Sequence, residues 1–234
     1  MGNTKSHPCP PESDSRSRAE KAMSQQKLRI QFRKAGDLRW ASHRDLARAF
    51  ERLFRRAEVP LAMSEGFHPH PRTNFPSALS VGIQGEGEWV ETLLSDTIDA
   101  SELTQRLRET TPPGLEIIDV QVLDRSHPKP VVRSMTYEIQ VPSERHAATT
   151  TAIASLMKRE TCIVERAPGK GSVDLRKTLA NVELVDNRLV FTLTAARTAQ
   201  AGPRDLLAQL GLDDLESSGG LLTRSHVQLN ETTN

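Results

Sequence analysis

The stretch that decides the fold is residues 27–58, which read KLRIQFRKAGDLRWASHRDLARAFERLFRRAE. At its start, Leu28, Ile30 and Phe32 alternate with charged or polar residues, and this period of two predicts a half-buried strand. Gly36-Asp37 then marks a turn, and an amphipathic run follows it. The stretch therefore predicts a strand that a short turn connects to a helix.

The predicted helix has a clear beginning and a clear end. Ser42 is a favourable N-cap residue, and Asp45 in the first turn complements both the cap and the helix dipole. Val59-Pro60 ends the helix, because the residue before a proline avoids the helical conformation. One side of the helix is apolar and consists of Leu46, Phe50, Leu53, Phe54 and Ala57. We expect this side to pack against the core.

The opposite side of the helix carries a row of arginines, Arg44, Arg48, Arg52 and Arg55. Two interpretations are open at this point. The row is either a solvated helix face, partly neutralised by the helix's own acidic residues, or a surface that binds phosphate. A guanidinium group binds phosphate through two parallel hydrogen bonds, and the use of arginine without lysine adds weight to the second interpretation.

A loop rich in glycine, proline and histidine follows the helix and reads Ser64-Glu-Gly-Phe-His-Pro-His-Pro-Arg72. Gly66 gives the backbone freedom, whereas the prolines after it stiffen the chain, and such a loop suits recognition of a ligand. His68 and His70, with His43 as a third, are weak metal-ligand candidates, because no cysteine or carboxylate stands at a diagnostic spacing. We therefore expect hydrogen bonding or stacking from these imidazoles, and no bound metal.

The order of the predicted elements is similar in the two halves of the chain. The first half has strands at 27–34, 78–83, 88–95 and 115–123, with helices from Ser42 and from Asp99. After a linker at 127–130, the second half has strands at 135–141, 161–165, 182–185, 188–194 and 221–229, with helices from Ser143 and from Gly202-Pro203. Strand, helix, two strands, helix, strand is the order of the ferredoxin-like split βαβ fold. We predict an α+β protein with a disordered tail at residues 1–26, followed by two tandem ferredoxin-like halves at residues 27–126 and 134–229.

The composition limits the possible functions. With 234 residues and a net charge of +1, the chain has no general excess of basic residues, so a surface that binds nucleic acid must be local. Its two cysteines, Cys9 and Cys162, argue against a disulfide scaffold and for a reducing compartment, which predicts a cytoplasmic protein. No apolar run is long enough to span a membrane.

Three segments together resemble a known family. They are the strand and turn from Leu28 to Arg39, the helix start Ser42-His-Arg-Asp-Leu46, and the loop Ser64-Glu-Gly-Phe-His-Pro-His-Pro71. They are similar to the radical-SAM-linked domain of unknown function, and the resemblance covers about residues 27–229. Arg44 stands where that family usually has leucine, and His68 where it usually has asparagine, which weakens any claim that the His68 imidazole is required.

The resemblance implies a partner and leaves the activity open. The family occurs as a free chain or fused to B12-binding radical SAM enzymes, so it implies a B12-binding radical SAM protein as the partner. The chain lacks the three close cysteines that the cluster of such an enzyme requires. We therefore expect a non-catalytic accessory module, without a cofactor, that binds RNA (tRNA or rRNA) or positions a substrate for the partner enzyme.

Two alternative functions and one set of binding residues complete the prediction. The alternatives are an RNA-processing endonuclease-like enzyme that uses His43 as a general base, and a pure protein-interaction partner of the radical SAM enzyme. No complete catalytic motif supports the first of these. The residues predicted to bind nucleic acid or substrate are Arg39, His43, Arg44, Arg48, Ser64, Gly66, Phe67, His68, His70, Arg72, Arg176 and Arg224.

Overall fold

The computed structural model describes residues 26–166, 171–196 and 200–231. Apart from Gln26, the predicted N-terminal tail lies outside the described residues. The first half of the chain contains the strands β1 (Gln26–Lys34), β2 (Thr73–Asn74), β3 (Gln84–Leu93) and β4 (Leu115–Asp124), and the helices α1 (His43–Arg56) and α2 (Ala100–Thr110). A short 3₁₀ turn at Gly36–Trp40 connects β1 to α1.

The second half contains the remaining described strands and helices. They are β5 (Pro130–Gln140), α3 (His146–Met157), β6 (Ile163–Glu165), β7 (Ser172–Asp174), β8 (Leu179–Val185), β9 (Arg188–Thr194), α4 (Pro203–Gln209) and β10 (Thr223–Glu231). Two further 3₁₀ turns, Ser143–Arg145 and Leu175–Lys177, precede α3 and β8.

One large mixed sheet runs through both halves. Its strand order is β4-β1-β3-β10-β5-β9-β8, and β2 also pairs with β3. The pair of β3 and β10 is parallel, and the other pairs in this sheet are antiparallel. Strands β6 and β7 form a separate two-stranded sheet. The described part of the chain is therefore an α+β protein with a large mixed sheet and four helices.

The buried apolar residues form two clusters, one in the first half and one mainly in the second half, which also takes in Leu79 and Ile83. In the first half, Phe32 of β1 meets Phe50 of α1 edge to face, with ring centroids 4.8 Å apart. Leu103 of α2 belongs to the same buried cluster. In the second half, Tyr137 of β5 stacks on its cross-strand partner Phe191 of β9, with ring centroids 5.4 Å apart. The apolar side of α1 is buried as the periodicity predicts, which turns its arginine side to solvent.

Several local signals in the sequence act as predicted. The Asp99 carboxylate accepts hydrogen bonds from the N–H groups of Ser101 and Glu102 and begins α2. Asp186 and Asn187 join β8 to β9 with φ values of +46° and +65°, as a tight hairpin turn of the primed type requires. Pro203 occupies the first turn of α4.

The prediction for one strand is wrong, and the prediction for another is confirmed with shorter bounds. Residues 78–83 form no strand; the backbone turns there, Gly82 has φ +88°, and its N–H donates to the Arg39 carbonyl at 2.9 Å. The two-residue β2 pairs with β3 instead. The strand predicted at 161–165 is confirmed at residues 163–165, where it pairs with β7 outside the main sheet, and β8 is the strand beside β9. Which distant segment a strand pairs with is not signalled by any local residue.

Candidate nucleic-acid interface

The start of α1 is fixed by its first two polar residues. The Ser42 hydroxyl accepts a hydrogen bond from the Asp45 N–H at 3.2 Å and donates one to Asp45 Oδ2 at 2.7 Å. This hydrogen bond from Ser42 is the main cause that lowers the pKa of Asp45, and the charges of Arg48 and Arg44 lower it further. The carboxylate therefore stays ionised at the positive end of the helix dipole.

The arginine face, which we define as Arg44, Arg48, Arg52 and Arg55, is exposed along α1. Arg48 Nη1 lies 3.7 Å from Asp45 Oδ1, a loose pair between two exposed side chains. The other three guanidinium groups make no hydrogen bond and no ion pair with the residues that the structure describes. Since successive members lie four or three residues apart, they follow one another at intervals of about 6 Å or about 4.5 Å along the helix. The face is thus a row of cations with free donors.

The loop that follows α1, residues 64–71, is held at its base and exposed at its tip. The Ser64 N–H donates to the His70 carbonyl at 2.8 Å, and the His70 N–H donates to Ser64 Oγ at 3.0 Å. Gly66 has φ +122°, a conformation that favours glycine, and the Phe67 ring beyond it is fully exposed. His68 is exposed as well. The loop therefore presents an aromatic ring and an imidazole on a closed base.

A cavity connects this loop to the arginine face. It has a volume of about 410 Å³, and its lining includes Glu51, Arg55, Met63 and His70. His43 lies elsewhere, at the start of α1, where its ring meets Phe75 edge to face with centroids 5.2 Å apart. Residue 51 is eight residues further along the helix, or roughly 12 Å. The structure therefore separates His43 from His70, and the described residues include no group of His, Cys, Asp and Glu that is arranged to hold a metal ion.

The half-buried Arg39 and the exposed Trp40 form a second feature, just before α1. The Arg39 guanidinium carbon lies 4.9 Å from the centroid of the Trp40 ring, and 59% of Trp40 is exposed. Arg72, just beyond the loop, lines a cavity of about 360 Å³ whose lining also includes Lys27, Lys129 and Glu91. Arg39 therefore adds positive charge just before α1.

Arg176 and Arg224 have different surroundings. Arg176 donates to the Arg159 carbonyl at 3.1 Å, just beyond α3. Arg224 is 1% exposed, and its Nε donates to Glu88 Oε1 at 2.7 Å while Nη2 contacts Glu88 Oε2. The Arg224 side chain is therefore not accessible to a polymer such as RNA.

Sequence reasoning missed the polar residues around Arg224. Lys34 and Glu88 are both almost completely buried, with 1% and 3% exposure. A signal was present for Lys34, because it continues the face of Leu28, Ile30 and Phe32 along the strand. For Glu88 the sequence gives no signal. Its burial follows from its pairing with Phe32 on the neighbouring strand, and the register of that pair cannot be read from the sequence.

Comparison with known proteins identifies the family. Residues 27–206 match the family described as "Uncharacterized protein conserved in bacteria (DUF2344)", and the chain belongs to it. None of the curated proteins matches the chain. A solved structure entitled "Crystal Structure of an Unknown Protein from Galdieria sulphuraria" is 14% identical, with 89% of this chain and 99% of that chain covered, and a TM-score of 0.26. A likeness this low supports no conclusion about fold or function. No described helix has both the length and the apolar character that a membrane crossing requires.

Proposed function

We propose that this protein is a non-catalytic module that binds RNA through the arginine face and the loop at residues 64–71. The observation that carries the proposal is the row of exposed arginines, three of which make no hydrogen bond or ion pair with described residues. On a solvated helix face of mixed charge, arginines typically pair with acids three or four residues away. Here one pair of that kind, Arg48 with Asp45, is formed.

RNA suits this surface better than a protein does for two reasons. Cations that neutralise phosphates release bound counterions, so a row of free guanidinium groups gains most from a polyanion. The fully exposed Phe67 and the exposed His68 offer rings on which unpaired bases stack. We therefore propose single-stranded or looped regions of tRNA or rRNA as the ligand.

The proposed fold is a pair of ferredoxin-like halves. In the first half the order β4-β1-β3-β2, and in the second β10-β5-β9-β8, place the first strand of each half between its fourth and third strands. All neighbours within each half are antiparallel, as in a split βαβ fold. These orders support the proposed halves at residues 27–126 and 134–229, joined through β3 and β10.

The proposed partner is a B12-binding radical SAM enzyme, and this step rests on the sequence resemblance. The family to which the chain belongs is uncharacterised, so the family alone names no partner. In this proposal the module holds RNA on α1 and the loop, and the partner enzyme modifies it. We propose a cytoplasmic location on the grounds of cysteine usage.

Binding of the purified protein to total tRNA and to rRNA, at two salt concentrations, tests the proposal. The test variant changes Arg44, Arg48 and Arg52 to alanine. The control variant changes Arg133, Lys158 and Lys177 to alanine, which removes the same charge from exposed positions away from α1. We expect salt-sensitive binding by the wild type and the control, with a salt slope that is smaller by about two to three for the test variant. Absence of binding at low salt, or equal losses in both variants, would contradict the proposal.

A further inference from the structure

The seam between the two halves, which we define as Lys34 of β1, Glu88 of β3 and Arg224 of β10, contains more buried positive than negative charge. Lys34, Glu88 and Arg224 are each at least 97% buried, with exposures of 1%, 3% and 1%. The single carboxylate binds Arg224 through both oxygens, with Nε donating to Oε1 at 2.7 Å. Lys34 Nζ donates instead to the Ala41 carbonyl at 2.9 Å. Two cations thus share one carboxylate, and a buried charge without a counter-ion is unfavourable.

A cavity adjoins this charge on the Arg224 side. Its volume is about 340 Å³, and its lining includes Ser77, Ser80, Tyr137, Gln200 and Arg224. A volume near the lower end of the range for small-molecule sites fits a small metabolite and excludes a polymer from the interior. Ala78, Ser80 and Ala196 also line the cavity and are exposed, so it meets solvent on that side.

The donors in the cavity have weak or replaceable acceptors. Arg224 Nη1 donates to Ser77 Oγ at 2.9 Å, to the Ala78 carbonyl at 3.2 Å and to Met135 Sδ at 3.4 Å. The Tyr137 hydroxyl, on a ring that is 4% exposed, donates to Met135 Sδ at 3.6 Å. A thioether sulfur is a poor acceptor, so both donors would gain from an anionic oxygen.

We propose that this cavity binds a small molecule through a phosphate or carboxylate group. The anion accepts hydrogen bonds from Arg224 Nη1, from the Tyr137 hydroxyl and from the Ser77 hydroxyl. It supplies the negative charge that the three buried ionic groups lack. The site is independent of RNA binding, because Arg224 is buried and the arginine face contributes nothing to the cavity lining.

Calorimetric titration of the full-length protein with inorganic phosphate and, separately, with succinate tests this inference, at an ionic strength held constant with NaCl. The two titrations distinguish a phosphate site from a carboxylate site. We expect at least one of these anions to bind the wild type, and to bind Tyr137→Phe and Ser77→Ala about tenfold more weakly, since each variant lacks one hydrogen bond to a charged group. Ser143→Ala, an exposed serine outside the cavity, is the matched control.

Two further outcomes decide the question. Arg44, Arg48 and Arg52 changed together to alanine should leave the affinity unchanged, and a loss there would overturn the inference by placing the anion on α1. Binding of neither anion, or equal binding by wild type, Tyr137→Phe and Ser77→Ala, would overturn it as well. These variants keep the buried ion pair, so the test does not depend on the stability of an Arg224 variant.

Discussion

Lys34 Nζ donates a hydrogen bond to the backbone carbonyl of Ala41 at 2.9 Å, across the 3₁₀ turn between β1 and α1. This contact holds the residue that precedes the N-cap of α1 against the end of the first strand. It does so with a side chain that is 1% exposed, in a position where the sequence pattern calls for an apolar residue. The polar interior of the seam thus reaches the base of the proposed RNA-binding helix.

The first prediction concerns the pH dependence that Lys34 adds to stability. Burial is the main cause that lowers the pKa of Lys34 below 10.5, and Glu88 opposes this effect. Between the lowered pKa and 10.5, the unfolded chain binds a proton that the folded protein does not bind. The free energy of unfolding of the wild type, relative to Lys34→Met, should therefore rise with pH across this window. Denaturant unfolding at several alkaline pH values measures it, and a falling difference would contradict the account.

The second prediction concerns the buried pair of Glu88 and Arg224. Glu88→Gln leaves the guanidinium without its carboxylate, and we expect a loss of about 3 kcal/mol in the free energy of unfolding. The matched control is Glu138→Gln, which breaks the more exposed pair with Arg188 and should cost at most about 1 kcal/mol. Urea unfolding of both variants decides the point, because equal losses would mean that burial adds nothing.

The third prediction concerns acid sensitivity at the start of α1. The hydrogen bond from Ser42 lowers the pKa of Asp45 below 3.8, so the folded protein favours the ionised form. The stability that this carboxylate adds is present above pH 3.8 and is lost as the pH falls through the lowered pKa. The stability difference between wild type and Asp45→Asn should shrink accordingly in acid. In a Ser42→Ala background the same difference should be smaller at neutral pH, and an unchanged difference would show that the hydrogen bond has no such effect.

The fourth prediction concerns the glycine that precedes β4. Gly114 has φ +81°, and a Cβ at this position would lie 2.7 Å from the Ala35 carbonyl oxygen. Gly114→Ala should cost about 2–3 kcal/mol, since both the conformation and the contact are unfavourable. Gly36→Ala is the control, because Gly36 has φ +56° with no atom within 4 Å of the added Cβ, and it should cost about 1 kcal/mol. Thermal unfolding that ranks the two in the opposite order would contradict the prediction.

The fifth prediction separates binding from stability at the loop tip. Phe67 is fully exposed, so Phe67→Ala should change the free energy of unfolding by less than about 0.5 kcal/mol. If bases stack on this ring, the variant should bind single-stranded RNA more weakly by about 1–3 kcal/mol. Val131→Ala, which truncates an exposed apolar residue on β5, should change neither quantity. Unaltered RNA binding by Phe67→Ala would remove the loop tip from the proposed surface.

Local signals in the sequence predicted the parts of the fold that local chemistry decides. The caps at Ser42 and Asp99 and the turn at Asp186-Asn187 each act within a few residues, and the structure confirms all three. The burial of one side of α1 follows from its period in the same way. Such features need no knowledge of distant segments.

Pairings between distant segments could not be predicted from the sequence. The parallel contact of β10 with β3 joins residues that lie more than a hundred positions apart, and no turn residue signals it. The distance between His43 and His70 likewise follows from where the loop folds back along α1, which the spacing of the histidines does not reveal. The buried position of Arg224 depends on its ion pair with Glu88 of the neighbouring strand β3, and a single arginine on a predicted strand gives no hint of this.

The position of β10 between β3 and β5 has a consequence for how the protein is made. On the ribosome, β10 emerges after every other described strand, so the edge of β5 and the part of the β3 edge that β2 leaves uncovered stay unpaired while most of the chain is already outside the exit tunnel. Open edges are sites at which other chains add strands. Nascent chains that are released before residue 223 would therefore expose both edges to strand addition and aggregation.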